Sequence, residues 1–211
     1  MKKTKFDGII FDLDGTLWDA TAVNKEAWDM AYEQMGYGKS KVTDEEFASC
    51  MGLIIPDIAK KIHPEILENE RDGFIDACIE IEHQMLSERG GILYEGFHEV
   101  LGELAKFHKL CVVSNCQAGY IEIFMKTHKA ERYFADFECP GNTGLLKADN
   151  IRLVVQRNGF HNPVYVGDTE GDMRAAHDAG LPFVWAAYGF GKGLAGYAHK
   201  IDALKDLEKL V

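Results

Sequence analysis

Phe11-Asp12-Leu13-Asp14-Gly15-Thr16-Leu17 sets two carboxylates two residues apart where an apolar run gives way to a glycine turn. The run from Phe6 to Phe11 reads as a short buried strand. Asp12 and Asp14 then fall at its carboxyl end, where open parallel sheets hold their ligands. Strand geometry at that spacing points both side chains to one face. Two like charges held close shift each other's pKa, so a cation or a bound proton must accompany them. The chemistry this pattern serves is Mg²⁺-assisted phosphoryl transfer, with Asp12 as nucleophile and Asp14 as acid and base. The competing reading is an Asx turn that uses Asp and Gly for backbone geometry alone.

Three later segments offer compatible groups. Val112-Val113-Ser114-Asn115 ends an apolar strand in a hydroxyl and an amide, which donate to phosphate oxygens without adding charge; alone, Ser-Asn is more often a helix cap. Lys147 opens a helical pattern, where a lysine is commonly solvated surface but where anions also bind. Val166-Gly167-Asp168-Thr169-Glu170-Gly171-Asp172 follows another apolar strand with two acids four residues apart, suited to a metal ligand and a supporting carboxylate.

Asp-x-Asp-Gly-Thr-Leu-x-Asp, present as Asp12 to Asp19, resembles the first motif of the phosphohydrolases of the haloacid dehalogenase superfamily. Asp12 and Asp14, Ser114, Lys147, and Asp168 with Asp172 match the superfamily's four motifs in order, and the resemblance covers essentially the whole chain. It implies an aspartyl-phosphate mechanism. Mg²⁺ is then expected on the carboxylates of Asp12 and Asp168 and on the main-chain carbonyl of Asp14. Lys147, Ser114, the main chain at Asn115 and Thr16 are expected to bind the phosphoryl group, Thr16 also orienting the turn beside it. Asp14 protonates the leaving oxygen and then deprotonates the hydrolytic water. Asp172 positions Lys147 or a metal-bound water. At Lys147-Ala148-Asp149 the chain departs from the Lys-Pro common in the phosphoglycolate phosphatase and β-phosphoglucomutase branch; proline there only rigidifies a helix start.

These groups need a scaffold, and the pattern after Gly91 supplies one. Helical and strand signals alternate from Gly96 to Trp185, which means βαβ units and a parallel sheet with helices on both faces. Pro182 to Trp185 reads as the last buried strand. Between the first motif and Gly90-Gly91 the pattern is helical throughout: Val23, Ala27, Met30 and Ala31 recur at helical spacing, Thr43 to Glu46 has capping-box form, and Phe74, Cys78, Ile81 and Met85 mark a long helix. The expected fold class is therefore α/β, a Rossmann-like parallel core over 1–17 and 92–211 with an all-helical cap inserted over 18–91. The family's phosphoglycolate phosphatase and β-phosphoglucomutase branch carries a cap there as well. Closure is expected about Leu17 to Asp19 and Gly90-Gly91.

Length and charge narrow the partners. The 211 residues suffice for one good core and a small second lobe. A net charge of −11 argues against nucleic acid. No run is long enough to span a bilayer. The basic start Met1-Lys2-Lys3-Thr4-Lys5 leads into a stretch interrupted by Asp7, Asp12 and Asp14, unlike a signal peptide. Five scattered cysteines without a Cys-x-x-Cys pair argue against disulfides or zinc and for a reducing cytoplasm. Cys111 and Cys116 read as packing residues, and the eight histidines show no ligand spacing. Gly191 to Gly196 fits Gly-x-Gly-x-x-Gly, but no further strand and ribose-binding acid follow before Val211, so it reads as a flexible loop. Trp18 and Trp28 fit either a cleft wall or a cap anchor.

The expected partner is a small phosphorylated metabolite, hydrolysed by a phosphatase; oligomeric state is left open. The nearest rival is a phosphomutase, whose cap histidine and basic residues are missing from 22–25 and 51–55. A dehalogenase lacks the acid that Asp14 provides, and a receiver-like phospho-acceptor module lacks a cap. The cap segment holds 7 basic and 16 acidic residues. That balance points to a monophosphate with a neutral or weakly charged leaving group.

Overall fold

The computed structural model describes residues 6–210; the basic start, Met1 to Lys5, lies outside them. β1 (Gly8–Phe11) is followed by a two-residue strand, β2 (Trp18–Asp19), and by four helices, α1 (Thr21–Gln34), α2 (Asp44–Ala48), α3 (Ile55–Ile62) and α4 (Glu68–Arg89). β3 (Ile92–Leu93) then returns antiparallel beside β2. The rest alternates through α5 (Phe97–Leu104), β4 (Lys109–Val113), α6 (Tyr120–Thr127), β5 (Phe134–Glu138), α7 (Pro140–Thr143), α8 (Lys147–Asn158), β6 (Pro163–Gly167), α9 (Glu170–Asp178), β7 (Phe183–Ala186) and β8 (His199–Ile201).

The main sheet runs β5-β4-β1-β6-β7-β8, parallel throughout. β1 lies at its middle, with Ile9 opposite Leu110 on one side and Val164 on the other. Its residues are apolar on both faces because both faces are covered. Ile9 and Phe11 pack with Val112, Val166 and the α5–α6 side chains, whereas Ile10 packs with Val113, Tyr165 and the α8–α9 side chains. The chain moves outward from β1 through β4 to β5, then crosses to β6 on the other side. That reversal is a topological switch point, and the carboxyl ends of β1, β4 and β6 converge there.

The four helices of the insert enclose an apolar cluster of their own around Trp28, Phe47, Phe74 and Cys78. α2 begins with the expected capping box: the Thr43 hydroxyl accepts from the Glu46 N–H, and the Glu46 carboxylate accepts from the Thr43 N–H. α4 ends at Gly90, whose φ of +67° suits glycine. A Cβ on Gly91 would stand 2.8 Å from the Trp18 ring, so the two crossings into and out of the insert are pressed together.

Five elements differ from the sequence expectation. α3, α7, β2, β3 and β8 were not anticipated, and Phe183–Ala186 is not the last strand, because β8 pairs with its outer edge. β8 has three residues and only Ile201 is buried, too little apolar signal to mark a strand. All five cysteines are buried and free. Among the described residues no helix is long and apolar enough to cross a membrane.

Candidate active site

β1 stops at Phe11, so Asp12 and Asp14 are placed by the turn beyond it and not by the pleat of the strand. The Asp12 N–H still donates to Val166 O at 2.8 Å, and the Thr16 and Leu17 N–H groups turn back onto Leu13 O. Gly15 closes this turn at a φ of +83°, and a side chain there would overlap the Asp168 carboxylate. Ser114 and Asn115 follow β4, Lys147 opens α8, Asp168 follows β6, and Asp172 lies in the first turn of α9. Six of these residues, Asp12, Thr16, Ser114, Lys147, Asp168 and Asp172, are buried.

Lys147 is the hub. Its Nζ donates to Asp12 Oδ1 at 2.6 Å and to Asp172 Oδ1. The other oxygen of Asp172 accepts from the Thr169 N–H at 2.9 Å and the Thr169 hydroxyl at 2.7 Å, which caps α9. Asp172 is thus engaged from both sides by protein donors, and one of them is Lys147. Asp168 is oriented differently: its Oδ2 accepts from the Phe190 N–H at 2.6 Å, while its Oδ1 is buried without any hydrogen-bond partner.

The charges do not balance. Burial first, and then Asp172, push Asp12 up to about 6 against the pull of Lys147. Burial, Asp172 and Asp12 push Asp168 well above the usual carboxylate range. Burial disfavours the Lys147 ammonium, yet Asp12 and Asp172 outweigh it and hold the proton on. Three buried carboxylates therefore share one cation. Their oxygens lie within 4.8 Å of one another, and the unpartnered Asp168 Oδ1 is among the atoms available. A hard divalent cation takes oxygen ligands of this kind, so the residues fit magnesium.

Asp14 belongs to the other side of the site. Its carboxylate is not in the three-carboxylate group; Oδ1 accepts from the Tyr120 hydroxyl at 3.0 Å, and that hydroxyl accepts from Asn24 Nδ2 at 2.9 Å. Burial, then Asp12, raise Asp14 well above its ordinary pKa, with Tyr120 opposing and Glu82 adding. Asp12, Asp14, Ser114 and Asn115 line a narrow cleft of about 50 Å³, walled on its far side by insert residues such as Trp28, Phe47, Met51 and Glu82. Lys147, Asp168 and Asp172 are not on that wall. Nor is Thr16, which is fully buried in its turn with its hydroxyl unpartnered.

Several contacts escaped the sequence reading. The Asn115 side chain reaches the insert, donating to Gly52 O at 3.0 Å. Of the two tryptophans read as cleft wall or cap anchor, Trp28 is both, whereas Trp18 packs edge-on against Tyr120, Phe124 and His128. The expected flexible loop begins in a tight fit: side chains at Gly189 or Gly191 would overlap Gly15 O or Asp168 O. Glycine spacing signalled a loop but not its contact with the site. Tyr120, Asn24 and Glu82 carried no local signal beyond helical spacing.

A parallel α/β sheet with carboxylates and a lysine buried at its switch point, under a helical insert, defines the class of protein. The chain belongs to the haloacid dehalogenase-like hydrolase family, whose model matches residues 9–186. It is 28% identical to the phosphoglycolate phosphatase of Photobacterium profundum, with 96% of this chain and 93% of that one covered. For the phosphoglycolate phosphatase of Aliivibrio fischeri the identity is 25%, over 88% and 86% of the two chains. The fold is similar to CbbY from Rhodobacter sphaeroides in complex with phosphate (TM-score 0.82, 18% identity, 96% of each chain). It is likewise similar to a haloacid dehalogenase-like hydrolase of Streptococcus pneumoniae (TM-score 0.79, 18% identity, 97% and 98% covered).

Proposed function

We propose that this hydrolase is a magnesium-dependent phosphatase that cleaves small phosphate monoesters through an aspartyl phosphate on Asp12. The observation that carries the reading is the buried set of Asp12, Lys147 and Asp168, in which one ammonium and an unpartnered carboxylate oxygen flank the nucleophile. Asp12 and Asp168 would hold the ion, joined by the main-chain carbonyl of Asp14. Magnesium bound there supplies positive charge against which a dianionic phosphate can approach a carboxylate.

The residues divide the chemistry as follows. A carboxylate oxygen of Asp12 bonds to phosphorus as the bond to the leaving oxygen breaks, and Asp14 gives its proton to that oxygen. Its raised pKa suits the acid role. Water then attacks the aspartyl phosphate, Asp14 takes the proton back, and the Asp12 carboxylate is restored with release of phosphate. Lys147, held by Asp172, offsets charge on the nucleophile and the phosphoryl group, and Ser114 and the main chain at Asn115 donate to its oxygens. Thr16 helps to close the turn through its N–H, which donates to Leu13 O at 3.2 Å. We assign residues 1–17 and 92–211 to a catalytic core and 18–91 to a cap that closes over it, excluding bulk water.

The curated relatives are phosphoglycolate phosphatases, which supports hydrolysis over isomerisation. The cleft wall supports it too: among the described residues that line it there is no Lys, Arg or His to hold a second phosphate. The direct test is Asp12→Asn, whose amide is nearly isosteric but a poor nucleophile. The variant should fold and lose p-nitrophenyl phosphate hydrolysis, and wild-type turnover should stop with a chelator. Near-normal turnover by Asp12→Asn would sink the mechanism.

A further inference from the structure

The insert side of the cleft is apolar but for two groups, Asn24 and Glu82. Asn24 gives its Nδ2 to Tyr120, and its Oδ1 is a buried acceptor without a partner, neutral where Glu82 can carry charge. Glu82 lies on α4, is 4% exposed, and among the described residues has no cationic partner. Its Oε2 accepts from Trp28 Nε1 at 3.2 Å, and its Oε1 accepts from Gln117 Nε2. Its helix neighbours Phe74, Cys78, Met85 and Leu86 are buried apolar residues. A carboxyl carried into such surroundings weakens the fold unless donors meet it, and an apolar residue of similar size would do better. Each carboxylate oxygen has two acceptor sites, and the protein fills one on each. The remaining capacity belongs to a residue that lines the same cleft as Asp12 and Asp14.

We infer that Glu82 determines specificity: it receives a hydroxyl or ammonium donor on the leaving group and turns away leaving groups that carry a carboxylate. The inference rests on the phosphatase reading and gives that site its substrate class, a phosphate monoester of an alcohol bearing a second hydroxyl or an amine. It separates this chain from the relatives named for phosphoglycolate, whose leaving group is anionic. A donor would complete the acceptor sites of Glu82, whereas a carboxylate would face it, Asp14 and Asp12 across one closed cleft with no cation on the lining. Burial pushes Glu82 up to about 7 against its two hydrogen bonds, so an incoming ammonium or hydroxyl meets a group that is part ionised and accepts readily. Gln117, which fixes one oxygen, comes from the core. The acceptor is therefore assembled only when insert and core are together.

The experiment compares kcat/KM for p-nitrophenyl phosphate, glycerol 3-phosphate, O-phosphoethanolamine and 2-phosphoglycolate, in wild type and in Glu82→Gln and Glu82→Asp. Wild type should favour the hydroxyl or the ammonium compound over phosphoglycolate by at least about tenfold, the two arms showing which donor is used. In Glu82→Gln that preference should shrink about tenfold, chiefly through KM, because Gln117 can rotate its amide and keep one contact while the charge is gone. Glu82→Asp keeps the charge and should keep the direction of preference. Wild-type preference for phosphoglycolate, or a preference unchanged by Glu82→Gln in a protein whose circular dichroism and melting are normal, would overturn the inference and leave the phosphatase standing. Failure of wild type to hydrolyse even p-nitrophenyl phosphate would remove the reading beneath it, and the inference with it.

Discussion

Lys147→Met takes away the ammonium that joins Asp12 to Asp172 while keeping much of the aliphatic stem. All three side chains are almost fully buried, so solvent screening gives no discount. Removing one partner of a buried ionic set costs about 3–5 kcal/mol, because the other charges stay behind. In a chain of this size each kcal/mol moves Tm by about 2–4 °C, so the metal-free variant should melt roughly 6–20 °C below wild type. The deficit must depend on pH in a set direction. Asp12 already binds its proton more tightly folded than unfolded, and the loss of Lys147 removes the influence that held its pKa down. A folded acid with a raised pKa keeps a proton that the unfolded chain has released, so stability falls as pH rises through that interval. The deficit should be small near about pH 5, below the Asp12 pKa of both folded proteins, and should grow toward about pH 8 as pH rises through the higher Asp12 pKa of the variant. Magnesium should then rescue the variant more than it helps wild type, since its charge replaces the missing one. Urea denaturation at the two pH values, with magnesium or with chelator, measures all of this. A metal-free deficit under about 1 kcal/mol at neutral pH would refute the reasoning, as would one that grows on acidification.

Other expectations follow from the same geometry. Asp14→Asn should slow alkyl phosphates far more than p-nitrophenyl phosphate, whose leaving group needs little protonation; equal losses would assign Asp14 to structure alone. Tyr120→Phe removes the donor that lowers Asp14, so the basic limb of the pH–rate profile with an alkyl phosphate should move to higher pH, and an unmoved limb would uncouple the tyrosine from the acid. Gly191→Ala drives a methyl group into Asp168 O and should cost more than about 2 kcal/mol. Gly193→Ala faces open space at a φ of +65° and should cost about 1 kcal/mol, so indistinguishable melting curves would contradict that packing.

What could be read ahead of the structure was whatever a strand end announces. Asp12, Ser114 and Asp168 each follow an apolar run, and a parallel sheet brings such ends together at its switch point. Lys147 and Asp172 were legible as residues at helix starts. Their pairing was expected only as one of two alternatives carried by the family resemblance, because a bond that spans 25 residues depends on how α8 and α9 pack. Tyr120, Asn24 and Glu82 sit on three different helices, and each in isolation looks like one more residue at helical spacing. They meet only because the insert lies over the core. β2, β3 and β8 are two or three residues long, below the length at which alternation or apolar runs carry meaning. Thr16 matched its motif, yet its hydroxyl is buried without a partner and off the cleft wall, a placement that spacing does not encode.

The hydrogen bond from Asn24 to Tyr120 has a direction, and that direction reaches Asp14. An amide nitrogen only donates, so it occupies the tyrosine oxygen as an acceptor and leaves the single phenolic hydrogen to be given to Asp14 Oδ1. Accepting that hydrogen favours Oδ1 as the carbonyl-type oxygen of the acid and so favours the acidic hydrogen on Oδ2. The two oxygens of one carboxyl are thereby made inequivalent, and the hydrogen is stationed on the one left free for the leaving group. If the insert opens as proposed, the amide withdraws with it, the phenol can rotate and the distinction lapses. The handedness of the proposed proton delivery would then belong to the closed molecule alone, written by an asparagine that touches neither the phosphorus nor the acid.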